Sequence, residues 1–178
     1  LAYSMVYGSL DEEKILAQIK NVRDSVDLII INMHWGVEYE HYARSNQKEL
    51  AHNIIDAGAD IIIGHHPHVV QEMEIYCIKR AITNGAHPND EICRPIFYSL
   101  GNFIFDQYFS QATQEGLAVG ITWQDDKIQL DLFPHFSEKN QVQLMTNERK
   151  ENFLNWLADI SDVSDDFKKQ IESGGIKL

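Results

Sequence analysis

Two short apolar runs set the frame of this chain. DLIIINM, residues 27–33, and DIIIG, residues 60–64, are continuous rather than alternating, the pattern of strands buried on both faces. Each is preceded by a helical pattern. In SLDEEKILAQIKNVRDSV, residues 9–26, Ile15, Ile19, Val22 and Val26 recur at helical spacing, and Ser9 with Glu12 reads as a capping box. In SNQKELAHNIIDAG, residues 45–58, Leu50, Ala51, Ile54 and Ile55 form the inward stripe, Ser45 reads as the cap and Gly58 as the stop. Helix, strand, helix, strand with short connections predicts an α/β fold with parallel strands.

Beyond residue 70 the pattern changes. EMEIYC and PIFYSLG read as strands on either side of an inserted loop, residues 78–94. LAVGITWQ and KIQLDLFP read as an antiparallel hairpin about Asp125-Asp126, with QVQLMT as a further strand. ENFLNWLADI and DDFKKQIES predict two closing helices. The 178 residues are expected to form a single domain, with its core over about 27–116 and the hairpin and C-terminal helices over 117–178.

Charge narrows the function classes. The net charge is −12, and residues 95–122 carry Asp106 and Glu115 but no Lys or Arg. A strongly acidic chain without a basic stripe argues against nucleic-acid binding. It equally opposes unassisted binding of a polyanion, unless a bound cation inverts the local charge. No apolar run approaches the roughly 18 residues of a membrane helix, and LAYSMVYGSL is unlike a signal peptide. Cys77 and Cys93, sixteen positions apart, flank the inserted loop; a disulfide between them and two unrelated thiols are both open, and a disulfide would imply an oxidising compartment.

The candidate chemistry gathers where the apolar runs stop. His34 follows LIIINM, and His65, His66 and His68 follow DIIIG, so both groups belong at the carboxyl edge of a parallel sheet, where ligands bind. Neutral imidazoles converging with a carboxylate suit Zn, Mn or Fe, as one ion or two. The metal candidates are His34, His66 and His68. Glu38, four residues past His34, and His65 are the candidates for catalytic acid–base work. Trp35 and Asn102 are the candidates for substrate binding, against the simpler readings of core packing and a Gly-Asn turn. His41, His52, His87 and His135 stand singly and read as structural or surface residues. No GxSxG, Cys-His pair or phosphate-cradling Gly-rich loop is present, which leaves metal-activated water as the chemistry on offer.

HWGVEY, QKELAHNIIDAGADIIIGHHPHVVQEMEIY and IFYSLGNFIFDQ, in that order, resemble the capsule-biosynthesis CapA family of poly-γ-glutamate synthesis proteins. The resemblance covers roughly Asp27 to Gly116. It implies a metallophosphoesterase-like sandwich of mixed β-sheets flanked by helices, with His34 as the lone strand-end metal ligand and His66 and His68 as the H-x-H pair. It implies metal-dependent phosphoesterase-like hydrolysis in making or anchoring an anionic surface polymer, outside the cytoplasm, with an anionic polymer or phosphoester as substrate. The alternative is a non-catalytic scaffold of a membrane-bound synthase complex.

The chain departs from the family in two respects. It lacks the Gly-Asp strand end and the Asn-Asn-His segment that complete a two-metal site, so it reads as the C-terminal half of the fold. A separate N-terminal half, an oligomer partner or a preceding membrane anchor is then expected. The inserted loop 78–94 is the second departure, and it is expected to lie near the site and shape substrate access.

Overall fold

The computed structural model describes residues 1–178 apart from Tyr7, Ser9, residues 80–90 and Asp126. Helix α1 spans Glu12–Arg23, and Asp11 caps it by accepting the Lys14 amide at 3.1 Å. The capping box expected at Ser9 lies outside the described residues. Ile15 and Ile19 are buried, whereas Val26 falls beyond the helix and is exposed, so the predicted stripe is shorter by its last member.

A five-stranded sheet runs in the order β1 (Ala2–Ser4), β2 (Ile30–His34), β3 (Ile61–His65), β5 (Glu91–Phe97), β4 (Met73–Lys79). The first four are parallel and β4 is antiparallel to β5. Strand β1 had no sequence signal; three residues pairing Ala2 with Asn32 and Ser4 with His34 are too few to show a period. Helix α2, Ser45–Asp56, crosses between β2 and β3 and buries Leu50, Ala51, Ile54 and Ile55. Its cap is Arg44 rather than Ser45: the Gln47 side-chain oxygen accepts the Arg44 amide at 3.0 Å.

The apolar runs are continuous because the sheet is covered twice. Ile31, Met33 and Ile62 turn to one face with Ile15, Ile19, Leu50 and Ile54 of the two helices. Ile61, Ile63 and Phe97 turn to the other, against Leu117, Leu130 and Leu132 of a second sheet. At about 1.5–3 kcal/mol for each fully buried Ile or Leu, this double covering is the main stabilising term. The second sheet is β6 (Glu115–Gln124), β7 (Lys127–Glu138) and β8 (Gln141–Leu144), with β9 (Gly175–Lys177) also on β7. Gln124 pairs Lys127, so the hairpin turns in two residues, and Asp125 accepts the left-handed φ of 52° that such a turn needs. Helices α3 (Asn147–Ile160) and α4 (Asp165–Ser173) close this side through Phe153, Leu154, Leu157 and Ile171.

Cys77 and Cys93 face one another across β4 and β5 and form a disulfide. Part of the expected loop is therefore strand; residues 80–90 lie outside the described residues. Its bases, Lys79 and Glu91, pair with each other at the strand-start edge, because β5 runs parallel to β3 with Ile96 beside Ile62. The bases thus sit at the end of the sheet opposite the histidines, and the expectation that the inserted loop borders the site falls on residues outside the described ones. Replacing Cys77 and Cys93 by serine should cost about 3 kcal/mol through the freed loop of the unfolded chain. A denaturant midpoint checks this, and metal content should be unchanged.

Candidate metal centre

Parallel pairing of β2 and β3 places His34 directly beside His65. The chain then leaves both strands in loops that lock together. Trp35 donates its amide to the His65 carbonyl at 3.1 Å, and Tyr39 donates its amide to the Pro67 carbonyl at 2.8 Å. The backbone is unusual here: Tyr39, His66 and His68 all have positive φ, at 67°, 100° and 61°. Left-handed conformations at non-glycine residues persist only where surrounding contacts impose them, and they collect at functional sites.

This backbone brings Glu38, His66 and His68 together, with one ligand atom from each within 4.8 Å of the others. The His34 ring lies 4.9 Å from that of His66, so His34 borders the trio without joining it. His68 is held from behind. Its Nδ1–H donates to the Asn102 Oδ1 at 2.9 Å, while the Asn102 amide nitrogen donates to the Thr113 carbonyl at 3.0 Å and to Gln107 Oε1 at 3.3 Å. The Thr113 carbonyl can only accept, so the amide orientation is fixed, and with it the tautomer of His68. The Nε2 lone pair is left facing Glu38 at 3.9 Å. Two acceptors turned toward one another repel unless a cation or proton lies between them.

The donor set fits a divalent ion. It offers two imidazoles and one carboxylate, the mixture suited to Zn, Mn or Fe, and an outer partner orients one imidazole. Burial and then the neighbouring charges of His66 and His68 lower the pKa of His34. Burial and then His34 lower that of His65. Both therefore stay neutral to lower pH than a free histidine and keep a lone pair available.

The remaining expectations divide. His65 turns to Asn32, 3.4 Å from its Oδ1, and lies outside the Glu38 trio. Asn102 is 93% buried and acts on His68 rather than facing open solvent. Trp35 is fully buried, donates its indole N–H to the Tyr98 carbonyl at 2.9 Å and stacks on Tyr98. That removes it from the substrate-binding candidates: a strand of buried alternation continues through Met33 into Trp35, which the adjacent His34 concealed. His135, read as structural or surface, is buried and donates Nε2–H to the Asn102 carbonyl at 3.1 Å, tying the second sheet to the site. His41 donates to the Val70 carbonyl, and His52 bonds Glu74 at 2.7 Å; His87 lies outside the described residues. Tyr39 stacks on His68, and Phe105 lies against it. A larger cavity of about 900 Å3, bordered by His41, Arg149 and Trp156, contains none of the trio.

Two sheets flanked by helices, with histidines at adjacent strand ends, define a mixed α/β protein of the metallophosphoesterase-like kind. Residues 4–107 match the family model described as bacterial capsule synthesis protein PGA_cap, and the chain belongs to that family. It is 40% identical over 113 residues to a capsule biosynthesis protein CapA of Bacillus anthracis, covering 61% of this chain and 24% of that protein. It is 38% identical over 107 residues to the PGA biosynthesis protein CapA of Bacillus subtilis, covering 60% and 24%. A probable polyglutamine synthesis accessory protein of Mycobacterium tuberculosis is 29% identical over 94 residues, covering 53% and 21%. The chain thus spans about a quarter of the length of these curated relatives.

Proposed function

We propose that this chain serves capsule or poly-γ-glutamate biosynthesis through a divalent-metal site that hydrolyses a phosphoester or amide bond of an anionic surface polymer or its precursor. One observation carries the reading: the tautomer of His68, fixed by Asn102, aims a lone pair at the Glu38 carboxylate beside His66. Glu38, His66 and His68 would hold the ion, with His34 as the nearest additional ligand. A divalent ion there supplies Lewis-acid activation of water and of the bond to be cleaved. His65, next in register to His34 and neutral to lower pH than a free histidine, would serve as the base that the trio does not consume. Tyr39 and Phe105 would form the wall on the His68 side.

The cation also answers the charge problem. A chain of net charge −12 repels a polyanion, and an ion at the strand ends gives that surface a local attraction. The Cys77–Cys93 disulfide supports an extracytoplasmic or cell-surface location, where disulfides persist. A membrane-bound synthase complex is the partner proposed for that location.

Elemental mass spectrometry tests the site. The purified chain should carry near-stoichiometric metal, and His66→Ala/His68→Ala should carry none. Asn102→Ala should weaken metal binding about 10–100-fold by freeing His68, measured by competition with a chelating dye. Metal-free wild type would sink the hydrolase reading and leave the non-catalytic scaffold in its place.

A further inference from the structure

A cavity of about 350 Å3 opens beside His66, and Gly36, Arg44, Asn46 and Gln47 border it. Three independent features give it one sign. The first is an orphaned donor: Gln47 is 98% buried, its oxygen is committed to the Arg44 amide, and its Nε2 has no hydrogen-bond partner. Leaving such a group unpaired is unfavourable, so a site that keeps one invites an acceptor from outside. Gly36 sustains the opening, since a Cβ there would stand 2.9 Å from that nitrogen.

The second feature is the start of α2. Arg44, Asn46 and Gln47 are its cap and first turn, and that turn contains no acidic residue, so its partial positive charge is uncompensated. The third is the Arg44 guanidinium. Its pairing with Glu40 at 3.1 Å is between exposed groups, and such pairs exchange partners at little cost. None of the described residues bordering the cavity is acidic.

We propose that this cavity is an oxyanion subsite that seats a phosphate or carboxylate group beside His66. It rests on the proposed function for its role, as the seat for the charged end of a substrate, while its existence follows from Gln47, Arg44 and the helix start alone. Arg44 offers a bidentate fork, Gln47 Nε2 a fixed donor, and the first-turn amides the remaining contacts.

Calorimetric titration of the full chain with inorganic phosphate and, separately, glutarate at low salt tests it. Both metal-loaded and chelator-treated protein should bind at least one probe, and the probe that binds identifies a phosphate or a carboxylate as the natural group. Gln47→Glu keeps the oxygen that accepts the Arg44 amide and places a favoured residue in the third helical position, yet reverses the charge offered to the anion. It should weaken binding about tenfold or more, with the metal content and far-ultraviolet circular dichroism of wild type. Arg44→Gln, at an exposed side chain, should weaken it similarly and carries the test if Gln47→Glu fails to fold.

Wild-type affinity in both variants, or no binding of either probe by wild type, overturns the proposal. Binding abolished by chelator but unchanged in both variants would place the anion on the metal, ending this proposal and sparing the metal reading. Variant-sensitive binding in a chain that holds no metal would sustain the subsite and end the metal reading.

Discussion

Gly64→Ala should prevent the chain from folding. Gly64 lies near the end of β3, where β5 leaves the pairing and Leu100 donates its amide to the Gly64 carbonyl at 3.2 Å. A Cβ at this position would stand 1.9 Å from the Tyr98 carbonyl oxygen and 2.7 Å from the Trp35 indole nitrogen. These two atoms are bonded to one another at 2.9 Å inside the core, and neither belongs to a flexible chain end. Relief requires β5 to move away from β3, which would break the Trp35 bond and open the packing around Tyr98. The cost exceeds the usual 1–3 kcal/mol of core overpacking and approaches a whole domain's stability of about 5–15 kcal/mol. Soluble yield and thermal unfolding of the variant are the measurements; a folded variant melting within a few degrees of wild type would show that the strands can part.

The second large effect lies at Asp60. Asp60 is 96% buried; its carboxylate accepts from Arg23 at 2.6 Å and from the Ile29 amide at 2.8 Å and forms an ion pair with Arg94 at 3.2 Å. Removing it takes away the carboxylate that Arg23 and Arg94 share. Loss of one member of a buried charge cluster costs about 3–5 kcal/mol, which for a chain of this length lowers the melting temperature by roughly 6–20 °C. Asp60→Ala should show the full effect. Asp60→Asn, which keeps an acceptor for the Ile29 amide, should show less. Equal losses in the two variants would mean that the retained acceptor contributes nothing and that the charge carries the whole effect.

The elements that announced themselves in the sequence are those with a long, one-sided demand on the solvent. Ile61 to Ile63 and Ile29 to Ile31 had to be interior strands, and the stripe of Leu50, Ile54 and Ile55 had to face them. Strands β1 and β9 were silent because three residues hold too little pattern and are defined by their partners' hydrogen bonds. His66 and His68 were legible as a pair because their spacing within a Pro-stiffened turn is local. The closing of Glu38 onto them depends on left-handed backbone at Tyr39, His66 and His68, which no composition reveals. Gln47 carries no signal in the sequence; three-dimensional packing shows that its amide oxygen is bonded and that its nitrogen has no partner among the described residues.

The polar groups of β3 are divided between its two ends. Asp60 precedes the strand with its paired arginines, and the histidines follow Ile61, Ile62, Ile63 and Gly64, so that Asp60 and His65 stand about 16 Å apart at strand rise. A protein engineer thus has two independent handles on one strand. Substitutions around Asp60, Arg23 and Arg94 can be screened for heat tolerance alone, and those around Glu38, His66 and His68 for their effect on the proposed metal site alone. The isoleucine run between them is the part of the strand to leave untouched.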